Sequence, residues 1–200
     1  MTQLIEALSY PFVQRAIAAG VMISLCAALL GVILVLKQYS LIGHGLGDVG
    51  FASTSLAVAL GLPVMAVSIP IVVIAACLIM FWSQRSKTGG DTAIGMVATG
   101  ALSIGVIITA MSSGFNVDVN GYMFGSILAM SREDVIFSVV LSIVILVLFV
   151  VFYNRLFLIT FDENFAKASG IRVGFYQFLI ALLTALTVVM GMRMMGSLLI

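Results

Sequence analysis

Long uncharged apolar runs constrain this chain more than any other feature. Ala16–Leu36, Val64–Trp82, Ile94–Met111, Val135–Phe152 and Phe175–Met190 contain no Asp, Glu, Lys or Arg. A bilayer core about 30 Å thick is crossed by roughly 20 helical residues. Inside it every backbone N–H and C=O must find a partner within the protein, which leaves helices or closed barrels. A barrel would show alternating segments of about ten residues. These runs are continuous, so the expectation is an all-α, polytopic transmembrane helix bundle. Composition agrees, with 62% hydrophobic and 8% charged residues, whereas a soluble domain carries about a quarter charged residues. A net charge of +1 and the absence of a basic tail give no reason to expect nucleic acid as a partner. Membrane lipid is the expected surrounding.

A further candidate span, Leu46–Leu60, is short and rich in Gly, Ser and Thr. Such a segment is poorly suited to lipid and belongs inside the bundle or beside water. Another segment opens at Gly191 and runs towards Ile200, giving about six to seven spans in one transmembrane domain over residues 1–200. Ala16–Leu36 is too long for the apolar core of a signal peptide, and Glu6 makes the leading segment acidic. Cys26 and Cys77 lie in apolar runs without a Cys-x-x-Cys pattern and read as small buried hydrophobes.

Lys and Arg gather in alternate loops: Lys37, then Arg85 and Lys87, then Arg155, Lys167 and Arg172. Those loops are expected on the cytoplasmic side, with the N-terminus outside. The loop Ser112–Asp134 carries Asp118, Glu133 and Asp134 against Arg132 and belongs to the opposite side.

His44 and Asp48, in Gly43-His-Gly-Leu-Gly-Asp48, are the chain's only imidazole and one of its eight carboxylates. At i and i+4 they share a helix face, roughly 6 Å apart along the axis. Together they are donors for a divalent transition metal, and ionisable groups at membrane depth commonly mark a pathway. The alternative is structural, with Asp48 answering a helix dipole and His44 a loop residue bonded to a carbonyl. Asp118 is a candidate at the outer mouth, where its charge would attract cations; it is equally a solvated loop carboxylate.

The stretch Thr160–Gly170 carries the signals of a short helix. Thr160 and Glu163 have capping-box spacing, Asp162 and Glu163 suit a first turn and Lys167 a last turn, and Gly170 suits the position after the C-cap. Phe161, Phe165 and Ala168 fall on one stripe. The segment rests on the membrane surface or docks into a groove of a cytoplasmic partner. The chain has no Gly-x-x-x-x-Gly-Lys-Ser/Thr phosphate loop and no catalytic constellation. A transport chain of this kind uses an ion gradient or borrows ATP hydrolysis. No tightly bound cofactor is expected.

Four stretches together resemble the permease subunits of bacterial ABC importers for zinc, manganese and iron. They are Tyr10-Pro-Phe-Val-Gln-Arg-Ala16 running into Gly20, Tyr39–Ala52, Gly121-Tyr-Met-Phe-Gly-Ser-Ile-Leu128, and Phe161-Asp-Glu-Asn-Phe-Ala-Lys-Ala-Ser-Gly170. The resemblance implies a homodimeric permease in the bacterial inner membrane, a cytoplasmic ATP-binding subunit, and an extracytoplasmic metal-binding protein that delivers the cargo. It implies that Asp162–Gly170 is the coupling helix, with Phe161, Asp162, Glu163, Phe165, Ala166 and Gly170 meeting the ATPase. The transported ion is expected to be Zn2+ first and Mn2+ next, with His44 and Asp48 expected to line its path. The family pattern usually reads Gly-Asp-x-x-x-His, whereas here His44 takes the acidic position and Asp48 the histidine position. Family members continue beyond the position of Ile200, so the chain is expected to be C-terminally incomplete relative to them. A gradient-driven secondary metal-ion carrier is the alternative; it would leave the Phe161–Gly170 segment without a role.

Overall fold

The computed structural model describes residues 10–85, 90–112, 125 and 132–196. Among the described residues lie seven helices: α1 (Pro11–Leu36), α2 (Ile42–Leu60), α3 (Val64–Arg85), α4 (Gly90–Met111), α5 (Arg132–Phe161), α6 (Glu163–Ala168) and α7 (Val173–Met195). No strand occurs among them. Helices α1, α3, α4, α5 and α7 are long and apolar enough to cross a membrane.

The bundle is organised around α7 and α2. In its most apolar stretch α7 is 72% buried, against 22–33% for α1, α3, α4 and α5, so α7 is the axis and the others turn large faces outwards. It touches α1, α2, α3, α5 and α6. Helix α2 is not among the five apolar spans, because Gly, Ser, Thr and Asp48 dilute its hydropathy. It is shielded instead: Leu46, Phe51, Ser53, Thr54, Ser55 and Ala57 are all buried, between α3, α4 and α7. Outer helices can be wholly apolar because lipid solvates them; α2 can be polar because other helices do.

Two hydroxyl pairs and several close glycine approaches hold α2 in place. Ser53 Oγ lies 3.0 Å from Ser68 Oγ of α3, and Thr109 Oγ1 of α4 lies 2.9 Å from Ser55 Oγ. Such interhelical bonds are each worth about 0.6 kcal/mol in lipid. Gly45 sits against Ile94 of α4 and Gly50 against the flexible end of Met192 of α7, so that a larger side chain at either would displace its neighbour. Gly105 of α4 does the same for Phe51: a Cβ there would lie 2.8 Å from the ring and 3.0 Å from the backbone of Ala52. Small residues let backbones approach, which gives packing its weight where water supplies no driving force.

Two expectations are corrected. α7 runs unbroken through Gly191 to Met195, so no separate segment opens at Gly191. A mid-helix glycine costs about 1 kcal/mol relative to alanine, which the packing of this central helix readily offsets; the turn out of the helix comes at Gly196, with φ +90°. α5 likewise continues beyond Phe152 to Phe161.

The α2–α4 contact makes a direct expectation. Gly105→Ala forces an aromatic ring and backbone aside and lowers stability by about 1–3 kcal/mol, the usual cost of overpacking. Gly95→Ala, where nothing lies within 4 Å, raises stability by up to about 1 kcal/mol through helix propensity. Thermal unfolding of the two variants in detergent, side by side with the parent chain, checks this; equal midpoints would refute the packing account.

Candidate metal-ion site

Helix α2 starts without a cap of its own: Leu41, at the N-cap position, makes no side-chain cap bond. Its N–H donates across the bundle to Asp91 Oδ1 of α4 at 3.1 Å. From there His44, Asp48, Phe51 and Ser55 follow at helical spacing along one stripe, whose later members meet α4. His44 therefore belongs to a helix and not to a loop.

The helix brings the two candidate ligands together, with His44 Nε2 3.7 Å from Asp48 Oδ2. The imidazole side chain is 62% exposed and the carboxylate 5% exposed. Asp48 Oδ1 is buried and has no hydrogen-bond partner. A carboxylate taken out of water with an unsatisfied oxygen is costly, so this arrangement calls for a cation or another donor. An ion held tetrahedrally by bonds of 2.0–2.2 Å separates two of its ligands by about 3.4 Å, close to the gap present. The pair supplies two donors. No group of three or more His, Cys, Asp or Glu residues suited to a metal occurs among the described residues.

The pair lies at the end of the bundle that carries α6. Lys37, at the C-cap of α1 and just before α2, feels the charges of Glu163 and Lys167. Burial pushes the Lys37 ammonium below its ordinary value; Glu163 opposes the shift and Lys167 adds to it. A cavity of about 610 Å³ lies between α1, α7 and the start of α2, walled by Gly20, Ser24, Gly31, Gly43, Thr184 and Gly191. His44 and Asp48 are not in its walls.

Helix α6 is capped by Asp162, whose Oδ1 accepts from Phe165 N–H at 2.9 Å. Thr160 instead closes α5, donating to Leu156 O, which corrects the Thr160–Glu163 capping box. Asp162 wins because it alone leaves the helical conformation, with φ −144° and ψ 96°. Gly170 follows the C-cap Ser169 at φ +75°. Glu163 is held by Lys167 Nζ at 2.7 Å and Gln177 Nε2 at 3.1 Å. Phe161 and Phe165 are 62% and 56% exposed, whereas Ala166 is fully buried. Ala166 faces inward and fixes α6 on the bundle. Asp118 lies outside the described residues.

Sequence reasoning missed Asp91. An acidic residue in the first turn of a helix reads locally as an answer to its own dipole; the bond to Leu41, fifty positions away in the chain, has no local signature.

The ABC 3 transport family model matches residues 9–200. The manganese transport system membrane protein MntC of Halalkalibacterium halodurans is 29% identical over 195 residues, which are 98% of this chain and 67% of that protein. The high-affinity zinc uptake system membrane protein ZnuB of Haemophilus influenzae is 30% identical over 189 residues, 92% of this chain and 71% of the relative. Among solved structures, PsaBC from Streptococcus pneumoniae in complex with Fab superposes with a TM-score of 0.82 at 29% identity, covering 99% of this chain and 72% of that one. With nearly its whole length matched by the family model, on a bundle of the same shape, the chain belongs to the ABC 3 transport family.

Proposed function

We propose that the chain acts as the membrane permease subunit of an ATP-driven importer of divalent transition-metal ions, with zinc the preferred cargo and manganese next. The observation that carries the reading is Asp48: a buried carboxylate with one free oxygen, 3.7 Å from the only imidazole. Relatives named for manganese and for zinc support a metal ion without choosing between them. One imidazole and one carboxylate make half a zinc site. Two copies related by a two-fold axis would supply two nitrogens and two oxygens, a tetrahedral set that suits zinc better than the oxygen-rich shell manganese prefers. A site of two donors per subunit also holds its ion loosely enough to release it, which transport requires.

Family membership favours borrowed ATP hydrolysis over a gradient-driven carrier. In this reading the end of the bundle with α6 faces the cytoplasm and the N-terminus lies outside. Phe161 and Phe165 are presented to a groove of the ATP-binding subunit, positioned by the Asp162 cap, the Glu163 bonds to Lys167 and Gln177, and buried Ala166. An extracytoplasmic metal-binding protein delivers the ion to the opposite end, where Asp118 is a candidate contact.

Two outcomes follow. His44→Ala and Asp48→Asn each weaken Zn2+ binding by about tenfold or more, the scale on which metal sites respond to altered ligation. Calorimetry on the purified chain measures this, and unchanged affinity in both variants would overturn the site. Phe165→Ala costs about 2 kcal/mol of docking, as interface anchors do, so co-purification with the ATP-binding subunit falls while Zn2+ affinity of the isolated chain does not. Undiminished co-purification would return α6 to a surface helix.

A further inference from the structure

We propose that Gly90 and Asp91 at the start of α4 form a seat for the α1–α2 elbow, and that Asp91 is a positioning residue for the His44–Asp48 pair. The proposal rests on the reading of that pair as ion ligands.

The elbow, residues 37–41, is built from three independent constraints. Gln38 has φ +60° and is the one non-glycine residue with positive φ among the described residues. That conformation is strained for an L-residue, and it ends α1 with Gln38 N–H bonded to Val35 O at 3.0 Å and Tyr39 N–H to Leu34 O at 2.9 Å. Gly90 lies against the elbow so closely that a Cβ would sit 2.7 Å from Gln38 O and from the Tyr39 ring. Beside it, Asp91 Oδ1 accepts the Leu41 N–H at 3.1 Å.

That last bond fixes where α2 begins. The first N–H groups of a helix have no partner within it, and Leu41 has no side-chain cap. Ile42 N–H is met by Tyr39 O at 3.2 Å, but the Leu41 N–H has its acceptor on α4, so loss of that acceptor loosens the first turn of α2. His44 lies within that turn, with its side chain largely exposed, and no hydrogen bond to it is found among the described residues. Its placement over Asp48 is therefore set by the backbone of that turn, which the Asp91 bond holds together with the Gly45–Ile94 contact. Asp91 acts through that backbone and not as a third ligand, consistent with the absence of any three-donor group among the described residues.

The charge of Asp91 and its acceptor oxygen are separable. Asparagine keeps an oxygen for Leu41 N–H and removes the charge; alanine removes both. The test uses the full chain in lipid nanodiscs, titrated with Co2+ and followed by its visible absorption, alongside hydrogen exchange of the peptide covering residues 39–48. Asp91→Ala is expected to weaken Co2+ binding about tenfold, as loss of an orienting partner does at metal sites, and to speed exchange across 39–48. Asp91→Asn restores both readouts to the parent level. Gly90→Ala, which crowds Gln38 and Tyr39, repeats the alanine result with the carboxylate intact.

Equal loss in Asp91→Asn and Asp91→Ala would overturn the proposal, since charge and not placement would be at work. So would weaker Co2+ binding in Asp91→Ala with exchange unchanged, which would make Asp91 a direct ligand. Should the parent chain bind no Co2+, or bind it equally with His44→Ala, the ion-site reading fails by itself. Exchange then judges the seat: faster in Asp91→Ala and not in Asp91→Asn supports it, any other pattern rejects it.

Discussion

A polar helix in a membrane must be wrapped by other helices, and in this protein that constraint orders everything else. α2 carries Asp48, Ser53, Thr54 and Ser55 in its buried set. Acyl chains offer none of these groups a partner. α3, α4 and α7 do, through the Ser53–Ser68 and Ser55–Thr109 contacts and through glycines that bring backbones close. The outer helices then need only be apolar towards lipid. Asp48 Oδ1 is the group of α2 that this wrapping leaves unsatisfied.

The end of the bundle that carries α6 gathers a second set of polar groups. Lys37 leads into the elbow, Asp91 receives the start of α2, and Glu163 ties α6 to its own Lys167 and to Gln177 of α7. Movement of α6 would therefore be felt by α7 through Gln177, and by the α1–α2 elbow through the charge on Lys37. In the proposed role, such a link would join the docking helix to the ion ligands. The elbow, with its left-handed Gln38, is a stiff connection and not a free loop.

Much of the architecture was legible along the chain because lipid imposes a simple local code. Uncharged runs of adequate length marked α1, α3, α4, α5 and α7, and the Gly, Ser and Thr content of Leu46–Leu60 marked α2 as a helix to be shielded. Boundaries were less legible. The break placed at Gly191 and the cap placed at Thr160 both failed because glycine and threonine read alike inside and at the ends of helices. Burial of α7 settles the first case, and the extended backbone of Asp162 settles the second. His44 and Asp48 stood out by rarity and spacing alone.

Sequence by itself determined that this chain is a helical membrane protein, that a histidine and an aspartate share one face of its least apolar long helix, and that a short polar helical segment with phenylalanines separates two spans. These depend on spacing, periodicity and composition, all carried by neighbours in the chain. Tertiary structure alone decided that Asp48 is buried while His44 is open, that Ala166 is an anchor, and that Asp91 holds the start of α2. Each of these depends on groups brought from distant positions to within a few ångströms, and no local pattern encodes which distant backbone will arrive.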